Sequence, residues 1–94
     1  MFTFSAEAWR NPGAGGWHFV TLPPEVADEI RARTQQRPFG SVPVTVTVGD
    51  TSRETSVFAD TRSASYLLPL KADARRRERI AAGDRVTVSL VLRL

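Results

Sequence analysis

Residues 75–79 read Arg-Arg-Arg-Glu-Arg, four cations in five positions, and the only lysine of the chain, Lys71, stands one helical turn before Arg75. Such a run can contact phosphates, and binding of that kind is indifferent to sequence and collapses with added salt. Single-strand binders, however, combine a basic groove with stacking aromatics, and the run contains none. It reads first as the solvated face of a helix. Ala74, Ile80 and Ala81 form the buried stripe, Arg77 lays its stem along the border, and Arg75, Arg76 and Arg79 point outward. Nucleic-acid contact through Arg75, Arg76 and Arg79 is the alternative.

Other residues could do chemistry of a different kind. His18 is the only histidine. General acid–base work needs a carboxylate or nucleophile within hydrogen-bond reach of the imidazole, and no spacing supplies one, so a structural role is expected and no catalytic residue is assigned. With one histidine and no cysteine, and with no calcium-loop spacing among the acids, no metal site is expected. "NPGAGGW" is glycine-rich but lacks the GK[ST] ending of a phosphate loop, and "GDTSRETS" has hydroxyls without a base to activate them, so no cofactor is expected. Trp9 and Trp17 flank the glycine loop, and with Phe19 and Tyr66 they read as a lid over a small core. Should they line a pocket instead, its walls are expected to be Trp17, Tyr66 and Lys71, with the Arg75 guanidinium four residues on binding an anion. An enzyme using a pocket near Trp17, His18 and Lys71 is a further alternative.

These side chains must be held by elements, and the hydrophobic pattern defines them. Phe2, Phe4, Ala6 and Ala8 alternate with polar residues as in a strand, and "WHFVTL" (17–22) is β-branched and aromatic. "PPEVADEIRARTQQ" follows, with prolines suited to a first helical turn and Val26, Ala27 and Ile30 on one face. It predicts a helix over 24–36. "VPVTVTV" (42–48) places four valines at strict period two, with Pro43 marking an edge or the start of a strand. "GDTS" turns the chain into "RETSVF" (53–58), and "YLLPL" (66–70) is a short buried strand. A second helix is expected over 72–81, stopped by Gly83-Asp84, before "RVTVSLVLRL" with Val86, Val88, Leu90 and Leu92 inward. The predicted order is β-β-α-β-β-β-α-β. Two stretches share the plan strand, Leu-Pro, helix, glycine turn, Val-Thr-Val, which predicts a pseudo-twofold pair of β-α-β units in which Val44, Val46, Val88 and Leu90 are buried together.

The second unit, "LPLKADARRRERIAAGDRVTV", resembles the strand, proline, short helix, Gly-Asp, strand pattern of AbrB/MazE-type swapped-hairpin domains. There two chains interleave to complete one barrel; here the repeat supplies both halves. The whole sequence resembles the domain-of-unknown-function family 1905. The carrying residues are Trp17 to Pro23, Phe39-Gly40 with "VPVTVTV", Thr55-Ser56, "YLLPLKADAR" and "AGDRVTV". The resemblance implies a mainly β fold with two short helices, a small six-stranded double-split β-barrel, and no activity. In some members of that family the module is joined to a domain linked to bacteriocin protection; no room for such a partner is expected here.

With 94 residues, 41% of them hydrophobic and 24% charged, one globular domain over 1–94 is expected. No apolar run reaches the ~20 residues of a membrane span, and "MFTFSAEAW" lacks a basic leader region. Absence of cysteine removes disulfides, and a cytoplasmic protein, compatible with a monomer, is expected. The net charge of +3 conceals a gradient: residues 62–94 carry eight basic against three acidic side chains, residues 1–61 five against seven. The expected role is that of a non-catalytic module binding a small anionic or apolar ligand or a protein partner.

Overall fold

The valine alternation of residues 42–48 sets the plan of the molecule. In the computed structural model, which describes residues 1–13, 15–34 and 40–93, it becomes β3 (Ser41–Val48), whose four valines are all buried while Pro43, Thr45 and Thr47 are half-buried. The other strands are β1 (Phe2–Arg10), β2 (His18–Thr21), β4 (Thr51–Asp60), β5 (Ser65–Pro69) and β6 (Arg85–Leu92). They pair antiparallel throughout and close into a barrel in the order β1-β2-β5-β4-β3-β6. Period-two alternation then sends one set of side chains inward on every strand. Val44, Val46, Val88 and Leu90 share that interior, as expected, with Val20, Val57 and Leu68.

The ring carries the predicted twofold. Exchanging β1 with β4, β2 with β5 and β3 with β6 returns the same set of neighbours. The register obeys the exchange as well. Ala8 opposite Val20 corresponds to Ala59 opposite Tyr66, and Phe4 opposite Val88 corresponds to Thr55 opposite Val44. Pro43 is the third residue of β3, near the start of the strand, in a closed barrel that leaves β3 no open edge. Its carbonyl accepts from Arg93 N at 2.9 Å, just beyond Val44↔Leu92, the last β3–β6 pair, so the missing N–H falls outside that ladder.

Two helices close opposite ends. α1 (Pro24–Thr34) follows β2 and buries Val26, Ala27, Ile30 and Thr34, and the Thr34 hydroxyl returns to the Ile30 carbonyl at 2.6 Å. Positions 35 and 36 of the expected helix lie outside the described residues. α2 (Ala72–Glu78) follows β5 at the other end, beside the glycine loop and the β3–β4 turn, and is shorter than the expected 72–81. It stops at Arg79, not at Gly83. Arg79 is left-handed at φ 55°, its N–H and that of Ile80 both return to the Arg75 carbonyl, and the chain turns back so that Ile80 packs beside the core. Ala81, expected to be buried, is consequently exposed, its N–H capped by Asp84 Oδ2 at 2.8 Å. Neither helix is long and apolar enough to cross a membrane.

What holds α2 in place is carboxylate chemistry. Glu78 Oε2 accepts from the Thr51 hydroxyl at 2.7 Å and from Asp50 N at 3.3 Å, and Arg53 donates to Asp73 at 2.6 Å. Gly49 is what lets Glu78 in: a Cβ there would overlap the Glu78 carboxylate, and its φ of +58° disfavours any side chain. Gly49→Ala is expected to destabilise the fold by about 2–4 kcal/mol, combining the left-handed cost of about 1–2 kcal/mol with the displaced anchor. In urea melts the pair Gly49→Ala and Glu78→Ala should be clearly less destabilising than the sum of its parts, because the clash is counted once. Additivity would show that the two groups do not meet.

Candidate functional site

The end of the barrel that carries α2 also carries the glycine loop, and a groove runs between them. The loop begins where Asn11 N bonds the Trp17 carbonyl at 2.8 Å. Gly15, at φ +89°, lies against the Trp17 indole; a Cβ there would stand 3.1 Å from Cδ1 and Nε1 of the ring. The loop thus folds over a tryptophan that stays 53% exposed. Trp17 stacks on Phe19, with centroids 6.2 Å apart and planes at 11°, and Phe19 in turn meets Trp9 at 5.2 Å. Neither tryptophan belongs to the buried core, so the expected core lid is corrected. The alternation explains this: Ala8 and Val20 take the inward positions, which turns Trp9 and Phe19 to the outer face, where Trp9 Nε1 donates to Thr21 Oγ1 at 2.9 Å.

From the opposite wall come Lys71, Ala72 and Arg75. Lys71 Nζ lies 6.0 Å from the Trp17 ring centroid, within cation–π range. Arg75 is half-buried and spends Nε on the Leu70 carbonyl at 3.2 Å, leaving its two terminal nitrogens as donors. This corrects the expectation that Arg75 points outward with Arg76 and Arg79. His18 Nδ1 sits 2.9 Å from the Gly16 carbonyl. A carbonyl only accepts, so Nδ1 carries the proton and Nε2 of the neutral ring is an acceptor. The groove so formed, about 210 Å³, is lined by two cations, a histidine and a tryptophan, with no carboxylate among its described lining residues.

Of the residues expected to share a site, Trp17, Lys71 and Arg75 do line one groove, and His18 joins them. Tyr66 does not. It is 6% exposed, belongs to the core, and lies under the Arg31 guanidinium at 5.8 Å near the α1 end. The arginine run is also divided. Arg79 lines a separate hollow with Gly49, Glu78, Asp84 and Arg85, while Arg76 and Arg77 are simply exposed. Unforeseen in the sequence is an apolar hollow of about 370 Å³ on the outer face, lined by Asn11, Trp17, Phe19, Phe58, Leu67 and Pro69. Its signal was Phe58 beside the inward Val57, legible only once the strand pairing is known.

Residues 4–90 match the model of the family described as Domain of unknown function (DUF1905), and the chain belongs to that family. No curated protein is significantly similar to the chain.

The anchor of α2 is open to test by pH. The hydrogen bond from Arg53, with the charge behind it, holds the Asp73 carboxyl below the ordinary aspartate value of 3.8. A carboxyl lowered in the folded state stabilises above its unfolded value and loses that contribution as the pH falls through the folded one. Asp73→Asn should therefore lower the melting temperature modestly at neutral pH. The gap from the wild type should close in acid below the 3.8 of a free aspartate. Because the pair is half-exposed, with side chains 29% and 50% accessible, added salt should narrow the gap as well. A gap that persists in acid would assign the effect to something other than the ion pair.

Proposed function

We propose that this DUF1905 barrel is a non-catalytic binding module that takes a small organic anion in the groove between the glycine loop and α2. The observation that carries the reading is the convergence of Lys71 and Arg75 on an exposed tryptophan without an acidic side chain among the described lining residues. Several other cations on this end have acids beside them: Asp73 holds Arg53, and Arg79 and Arg85 share their hollow with Glu78 and Asp84. Arg76 and Arg77 stand on the open helix surface, whereas in the groove Lys71 and Arg75 line a concave site beside an indole. The terminal nitrogens of Arg75 offer a carboxylate two parallel donors, Lys71 adds a third, and the indole offers a flat surface to whatever the anion is attached to.

The arrangement of His18 favours binding over turnover. Its Nδ1 proton ends on a backbone carbonyl, which cannot pass a proton onward, so the ring has no relay behind it. The ring exchange symmetry supports reading the chain as a single-chain counterpart of the AbrB/MazE-type swapped hairpin. That kinship concerns architecture and brings no DNA-binding role with it. The cysteine-free composition suits a cytoplasmic setting.

A shallow groove with three polar groups should hold a small anion with Kd on the order of 10⁻⁴ to 10⁻³ M. Titration of the labelled protein with benzoate, followed by NMR, should move the resonances of Trp17, His18 and Lys71 together. Lys71→Ala should weaken binding about tenfold, in line with the loss of one charge-assisted hydrogen bond, and Arg75→Ala, which removes two, should weaken it further. Shifts confined to other surfaces, or indifference to both substitutions, would overturn the reading.

A further inference from the structure

The groove and the outer apolar hollow are not separate. Trp17 and Pro69 line both, so the cationic groove opens across the indole onto Phe19, Leu67 and Phe58. These side chains form one surface by register: Phe19 stands opposite Pro69 and Phe58 opposite Leu67, across three neighbouring strands. Their chain neighbours Val20, Leu68 and Val57 are fully buried, which turns the aromatic set outward. Phe58 is 47% exposed and Trp17 53%, the largest aromatic exposures among the described residues, and Asn11 is the only polar residue among the hollow's described lining residues. An apolar surface of this kind, continuous with a cluster of cations at one end only, has a polarity, and a ligand that matches it must share that polarity.

Resting on the binding role proposed above, we propose that the ligand is an amphipathic organic carboxylate. Its head sits between Lys71 and Arg75, and its flat apolar body crosses Trp17 to lie on Phe19, Leu67 and Phe58. With Nε committed to Leu70, Arg75 can offer only its end-on pair of N–H groups, the geometry a carboxylate takes in a bidentate contact. Strands lie about 4.8 Å apart, so a surface crossing β2, β5 and β4 accepts a body about 10 Å long, the size of a fused aromatic pair.

The test compares acetate, 1-naphthylacetate and 1-naphthylacetamide by calorimetry on the full chain, wild type and variants. Naphthylacetate should bind at least tenfold more tightly than acetate, a gain that burial of about two methylene equivalents provides. Phe58→Ser should remove most of that gain and leave acetate unchanged, Phe58→Leu should retain it, and Lys71→Ala should weaken both acids. Thermal melts verify that the Phe58 variants fold. Equal binding of acetate and naphthylacetate, with Phe58→Ser neutral, overturns the amphipathic ligand while leaving the anion groove intact. Absence of binding by either acid overturns the groove itself, and an amide as tight as the acid shows that charge is not read. A wild-type dimer in light scattering that Phe58→Ser dissolves would give the apolar face to a second copy and overturn the proposal.

Discussion

Closure is the constraint on which everything else depends. Once six strands meet in a ring, each residue of each strand points either into a shared interior or out of it, and nothing can be placed by halves. The interior is small, and Val20, Val42, Val44, Val57, Leu68, Val88 and Leu90 fill it at 0–1% exposure. A barrel of this size has side chains where a larger one would hold a ligand. The binding proposed above therefore falls on the rim and the outer face, where the groove cations and the exposed aromatics lie.

The same constraint divides what the sequence discloses from what it withholds. Strands with clean alternation declare their inward faces, and Val44, Val46, Val88 and Leu90 could be placed together from period two alone. "YLLPL" could not be read that way. A continuous apolar run has no phase, so nothing local says that Tyr66 and Leu68 turn inward while Leu67 remains half-exposed; the partners of β5 decide it. Hence Tyr66 left the expected site and Leu67 joined the outer face. Lys71 and Arg75 were legible because helical spacing is local. Phe58 was not, because its orientation follows from pairing with Leu67, nine residues further along the chain.

The end of α2 shows a second kind of failure. Gly83 carried the residue type of a helix stop, whereas it is Arg79 that caps α2, in the left-handed conformation. A non-glycine residue there costs about 1–2 kcal/mol and persists only where surrounding contacts over-determine it. Those contacts are tertiary: Glu78 is drawn to Thr51 and Asp50, and Ile80 turns toward the core. The shortened helix matters to the site, because fixing both Asp73 and Glu78 to the β3–β4 hairpin holds Arg75 at the groove and keeps it from swinging out with Arg76.

The twofold makes the asymmetry of the ends meaningful. Leu22-Pro23 corresponds to Leu68-Pro69 under the strand register that relates β2 to β5, and each unit then sets its own helix at one end of the barrel. At the α1 end, Glu25, Asp28 and Glu29 surround a shallow hollow, and Arg31 and Arg33 pair with Asp28 and Glu29 on the helix itself. At the α2 end the groove cations face a tryptophan and no acid among the described lining residues. A repeated backbone needs no such difference to fold, since the core is indifferent to the sign of a rim charge. The gradient of charge along the chain thus becomes a polarity of the barrel, with acids and arginines paired on the helix at one end and the proposed anion groove at the other.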